Sequence, residues 1–151
     1  MTERREVPAL ERLTAARAAD IVSVFCDAFR DYPVMRYITG PLGDYDARLH
    51  HLINFFVGRP VQQGGPLFGT VGNGQLVAGA TMRLPNEPMM PPGAAELRDA
   101  TWRQLGVDAR ARYEAYAEAT KALAIPQPHH HLNMIGVRTS HKGQRLARPL
   151  L

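Results

Sequence analysis

Cysteine is almost missing from this chain of 151 residues: Cys26 stands alone. No internal disulfide can form, and a reducing cytoplasm is the expected location. Lysine is nearly as scarce, with only Lys121 and Lys142 among 18 basic residues. Arginine is therefore the general surface cation. No run of about 18 apolar residues occurs, so no membrane-spanning helix is expected. The charged N-terminus, MTERREVPAL, leads into no apolar stretch of the kind a signal peptide needs. No Gly-Lys-Ser/Thr follows a glycine at the spacing of a nucleotide-binding P-loop. No Cys/His pairs stand at zinc-ligand spacing either. The three consecutive histidines, His129–His131, do not replace them, because neighbours on an extended strand point to opposite faces. No metal site is expected.

With 45% hydrophobic and 21% charged residues, the composition is that of a soluble globular domain rather than a disordered chain. At 151 residues the expectation is one domain with its own core. The formal charge of +4 and pI of about 9.6 favour an anionic partner such as a phosphorylated cofactor or nucleic acid. A merely solvated basic surface accounts for the same charge.

Along the chain, Pro8–Thr14 reads as a short strand. Ala18, Ile21, Val22, Phe25 and Phe29 fall at helical spacing within Ala15–Phe29, opposite Arg17, Asp20, Ser23 and Asp27. Pro33 disfavours a helical Tyr32 and ends that element. A second helix is predicted over Asp44–Val57, with Asp44 as its cap. Strand-type residues flank Gly72-Asn73-Gly74, which predicts a hairpin of Leu67–Val71 with Gln75–Leu84. The proline-rich Pro85–Gly93 reads as a loop. Helices follow at Ala94–Leu105 and Ala109–Leu123, the second with Asp108 as a possible cap and Tyr113, Tyr116, Ala117, Thr120 and Leu123 on its inner stripe. The fold class is α+β: a mixed, mostly antiparallel twisted sheet flanked by helices.

The last stretch, HLNMIGVRTSHKGQRLARPLL, reads as a strand, a basic turn bearing a glycine, and the start of a helix. Such a turn leaves amide groups without intrahelical partners, and they suit a pyrophosphate. Gly143 allows a close approach, and Arg138, His141, Lys142, Arg145 and Arg148 surround it with basic groups. A solvated basic face explains the same residues. No helix-turn-helix or aromatic RNA-binding signature supports a nucleic-acid module.

This stretch resembles the acetyl-CoA-binding motif of the GCN5-related N-acetyltransferases, a strand, a pyrophosphate-binding turn and a helix. Val137 matches the strand-end valine, Gly143 and Gln144 the turn, and Ala147 the closing small residue. Ala28–Ile38 is similar to the family's segment that helps form the acceptor site, and PHHHL to the approach to the motif strand. Arg138-Thr139 stands where the family has an acidic residue and proline, Lys142 where Gln or Arg is usual, and Arg145 where it has a glycine. The resemblance implies acetyl transfer from acetyl-CoA to a primary amine, on a small molecule or peptide, with no nucleic-acid or membrane partner. It implies cofactor contacts at Ile135, Val137, Lys142, Gly143, Gln144, Arg145, Leu146 and Ala147. The implied oxyanion donor is backbone near Ile135–Val137, with Gly136 permitting a bulge or close approach, and His131 is the candidate base. In the family the fold continues past this motif, so the expectation is a single incomplete domain over residues 1–151. A truncated remnant that binds CoA or a partner without turnover is the alternative. An uncovered motif strand is further expected to self-associate through Leu132–Val137 or to make the chain poorly soluble.

Overall fold

A computed structural model describes residues 8–85 and 91–151. Among them one sheet of four strands runs in sequence order, β1 (Leu10–Leu13), β2 (Leu67–Gly72), β3 (Gln75–Arg83) and β4 (His131–Val137). Each neighbouring pair is antiparallel, so the expected mostly antiparallel sheet is entirely so across the described strands. The hairpin turn is where the sequence places it. Asn73 and Gly74 both adopt positive φ, 51° and 78°, the geometry of the tight turns whose twist matches paired strands.

Among the described residues five α-helices lie beside the sheet: α1 (Ala18–Ala28), α2 (Pro33–Thr39), α3 (Tyr45–Gln62), α4 (Ala94–Leu105) and α5 (Val107–Thr120). A single 3-10 turn, Ala15–Arg17, leads into α1. Ile21, Val22, Val24 and Phe25 of α1 are buried against Leu49, Leu52, Ile53 and Phe55 of α3, and together they form the main core. Asp44 caps α3 as expected, its carboxylate accepting the Asp46 and Ala47 amides at 3.1 and 3.4 Å. The helix runs past Val57 to Gln62, through Pro60.

Helix α2 is an addition to the sequence reading. Pro33 ends the register of α1 but sits in the first turn of the next helix, where its missing amide costs nothing. Two guanidiniums close the other end. Arg48 donates to Thr39 O at 2.7 Å and to Leu105 O at 3.0 Å, and Arg112 to Ile38 O and Thr39 O. These bonds tie α2 to α3, α4 and α5 through carbonyls that a helix end leaves free.

Helix α4 has the predicted bounds. Helix α5 begins two residues earlier than expected, with Gly106 as its N-cap residue and Asp108 in the first turn. Its inner stripe is narrower than the sequence suggests: Ala109 is buried and Tyr113 packs on the core, but Tyr116 and Leu123 are exposed. Of the loop at Pro85–Gly93, residues 86–90 lie outside the described part.

Glycine decides how closely α1 approaches the sheet. A Cβ at Gly79 would lie 2.5 Å from Ile21 Cδ1, and one at Gly136 would lie 3.0 Å from both Ala28 Cβ and Phe25 Cδ1. Gly136 is therefore a packing glycine. The register shift in β4 falls elsewhere, at Asn133, the extra residue between Met134↔Thr81 and Leu132↔Met82. The shift turns Asn133 toward the helices, where Nδ2 donates to Phe56 O at 3.2 Å. Of the bulge or close approach expected at Gly136, the close approach occurs there, to α1, and the bulge lies three residues upstream.

Candidate active site

Among the described residues strand β4 is bonded on one side only, to β3. In an antiparallel pair, alternate residues direct both backbone groups at the partner and the others direct them away. The Arg138 N–H donates to Val77 O at 2.8 Å, which puts residues 134, 136 and 138 in the inward set. The N–H and C=O groups of Ile135 and Val137 therefore face the open edge. Their side chains go elsewhere, resting against the buried Val77, Ala78 and Ala80 on the sheet face away from α1.

The chain after Val137 turns sharply, and Asp27 of α1 holds the turn. Its carboxylate accepts the Thr139 N–H at 2.7 Å and the Thr139 hydroxyl at 3.1 Å. Arg138 is anchored by its Nε to Leu76 O at 2.8 Å and by its Nη2 to Ser23 Oγ at 3.1 Å. Arg138-Thr139, the pair that departs from the family pattern, is thus tied to β3 and α1.

No α-helix follows. Thr139–His141 and Arg148–Leu150 are single 3-10 turns, with Pro149 at the start of the second, where a proline is tolerated. Between them Gly143 has φ 81° and Arg145 φ 60°. Lys142 before them is extended, with ψ 146°, so the segment is an irregular turn and not a helix mouth. The Lys142 and Gln144 amides donate to Thr139 O and His141 O, and the Arg148 amide to Arg145 O. Among the described residues the Gly143, Arg145, Leu146 and Ala147 amides find no acceptor. A Cβ at Gly143 would meet nothing within 4 Å, so the turn is open there.

Lys142, Arg145 and Arg148 are exposed, and no carboxylate pairs with them among the described residues. Leu146 and Leu150 are buried against Val77, Ala78 and Ala80. The side chain of Leu146 is therefore a fastening for the turn, and what it can offer a ligand is its amide. Free amides, three unpaired cations and an open glycine fit the diphosphate of a nucleotide cofactor.

His131 lies at the far end of β4, opposite Arg83 in the register. Partial burial, then Arg83 and His129, hold its imidazole below the usual pKa of 6.5. His129 and His131 have ring centroids 6.1 Å apart, but among the described residues no three His, Cys, Asp or Glu gather to hold a metal. Cys26 is half-buried, and burial followed by the nearby Asp46 pushes its thiol up to about 11. It is a poor nucleophile at neutral pH. No helix among the described residues is long and apolar enough to cross a membrane.

No family model matches the chain, and no curated protein matches it in sequence. Solved structures do. One is a Corynebacterium glutamicum ATCC 13032 protein described as histone acetyltransferase HPA2 and related acetyltransferase, aligned at a TM-score of 0.65 over 95% of this chain and 67% of that one, with 19% identity. The chain has an acetyltransferase fold. At that identity the likeness is one of backbone, and it agrees with the fold that the Val137–Ala147 resemblance implies. Within an acetyltransferase fold, the open edge of β4 and the basic turn are continuous in sequence. The feature that escaped the sequence reading is Asp27, whose signal was only its place on the polar face of α1.

Proposed function

We propose that the chain binds acetyl-CoA along β4 and its turn and transfers the acetyl group to a primary amine, on a small molecule or a peptide. The observation that carries this reading is the set of unpaired amides: Ile135 and Val137 along the edge, then Gly143, Arg145, Leu146 and Ala147 in the turn. Outward N–H groups on a strand edge are donors for an acyl carbonyl and for the negative charge that develops on its oxygen. The turn amides, with Lys142, Arg145 and Arg148, suit a diphosphate.

The chemistry asks for a base, because an amine is protonated at neutral pH and must lose that proton before attack. His131 is the candidate: its depressed pKa keeps it neutral at pH 7 and able to accept a proton. The amine nitrogen then bonds the acyl carbon, the carbon–sulfur bond breaks, the thiolate leaves with the electron pair, and the second proton lost from nitrogen goes to that thiolate. Calorimetry with acetyl-CoA, and thiol release measured over a panel of amines, test the reading; binding with release supports it, and absence of binding overturns it. The rate should fall on the acid side with a midpoint below 6.5, and His131→Gln should remove that limb. Stability is linked in the same direction. As pH falls past 6.5 the unfolded chain takes up the His131 proton first, so the folded state loses ground there and gains nothing above.

A second reading is CoA binding without turnover, favoured by Arg145 in a left-handed conformation where the family has glycine. Saturable binding with no thiol release over the panel selects it. The same open edge is a template for pairing with a second copy of the chain; light scattering that finds only monomer at high concentration excludes that use.

A further inference from the structure

A cavity of about 210 Å³ lies among α3, α4 and α5, and no residue of β4 or its turn lines it. Its walls are aromatic. Trp102 lies 5.1 Å from Tyr113 and 5.4 Å from Phe55, and Phe55 lies 5.5 Å from Tyr113, between ring centroids. Three guanidiniums border it, and they differ in their partners. Arg110 is paired with Glu114 at 2.9 Å and Arg98 with Asp99 at 3.5 Å. Arg59 has only the Tyr113 hydroxyl, at 3.5 Å, and no carboxylate among the described residues. Gln62, one turn on along the same face of α3, is held at the start of α4, its Nε2 donating to Gly93 O at 3.1 Å and its Oε1 buried out of reach of the cavity.

We propose that this cavity binds a single-ring aromatic carboxylate. The carboxylate meets Arg59, and the ring lies against Phe55, Trp102 and Tyr113. Size supports one ring, since a cavity of about 150 Å³ accommodates benzene and the remaining space suits one carboxylate group. Charge selects an anion, because Arg98 and Arg110 are already paired and Arg59 is left without a carboxylate among the described residues. A bare inorganic anion leaves the aromatic walls without a partner. The proposal stands apart from acetyl transfer and does not need it.

Trp102 is the chain's single tryptophan, so its indole N–H gives one nuclear magnetic resonance signal that reports the cavity directly. The full chain is titrated with benzoate, acetate and aniline, followed by that signal and by calorimetry. We expect saturable binding of benzoate that moves the Trp102 signal. Acetate and aniline should each bind at least tenfold more weakly. Arg59→Gln should weaken benzoate at least tenfold and Arg59→Lys less, with the other amide signals of the protein in place as the check on folding. No saturable shift of Trp102 overturns the proposal, as does aniline binding equal to benzoate, or unchanged binding in a folded Arg59→Gln variant.

Discussion

On one face of the sheet, α1 and α3 lay down continuous apolar stripes; on the other, two leucines of an irregular segment do the covering. Phe25, at the centre of the first face, is fully buried, held between helices whose own hydrogen bonds need no help from the sheet. Leu146 and Leu150 close the second face from a segment whose backbone bonds are few and short in range. The first face is rigid because its cover is regular. The second is coupled to function, since the residues that seal it also set the turn whose amides face outward. Whatever loosens Leu146 should disturb the anion cradle, and whatever loosens Phe25 should reach the whole fold.

The largest effect should come from the helix-covered face. Phe25→Ala removes a ring that packs on Gly136 and stacks edge-on with Phe29 at 5.6 Å. It should cost about 3–5 kcal/mol of unfolding free energy in a denaturant titration. Leu146→Ala should cost about 2 kcal/mol, the lower end for a buried leucine, because an irregular segment at the surface collapses more readily around a cavity. The two variants should also separate by kind. Leu146→Ala should weaken acetyl-CoA binding measured by calorimetry while hydrogen exchange in α1 stays as in the parent. Equal loss of protection in α1 would break the contrast between the faces.

The regular face was the legible one. The spacing of Ile21, Val22 and Phe25, and of Leu49, Leu52 and Ile53, is a helical signal that tertiary packing reinforces. Asp44 and the Gly72-Asn73-Gly74 turn are local chemistry, which a sequence states directly. Helix α2 was hidden because the same Pro33 that stops one helix starts another. Its far end is closed by Arg48 and Arg112, which come from distant parts of the chain. Tyr116 and Leu123 misled because helical spacing shows which residues share a face, and not whether anything covers it. The site divides in the same way. The basic residues and Gly143 could be read in order, but the outward set of β4 depends on the bond from Arg138 to Val77, and the turn on a carboxylate from Asp27. The missing motif helix has a visible reason. Gly143 at φ 81° and Arg145 at φ 60° break right-handed helical geometry twice within three residues.

The smallest effect sharpens the comparison most, because it acts within the turn alone. Gly143 and Arg145 share the left-handed conformation, at φ 81° and 60°, but only the glycine adopts it freely. For an ordinary side chain the region costs about 1–2 kcal/mol, and replacing a residue by glycine returns about 0.4–1 kcal/mol to the unfolded chain as entropy. Arg145→Gly should therefore stabilise the protein by only about 0.5 kcal/mol, the difference between those two effects. Arg145→Asn should relieve part of the strain with less added freedom, since asparagine tolerates this region. Both variants lose a cation, so their acetyl-CoA affinities decide what position 145 contributes. If backbone shape governs the cradle, both bind more tightly than the parent; if the guanidinium grips the diphosphate, both bind more weakly and the deficit shrinks as salt is raised. Equal affinity in all three, at low and at high salt, would show that residue 145 lies outside the contact and that the cradle is formed by Gly143 and its other neighbours.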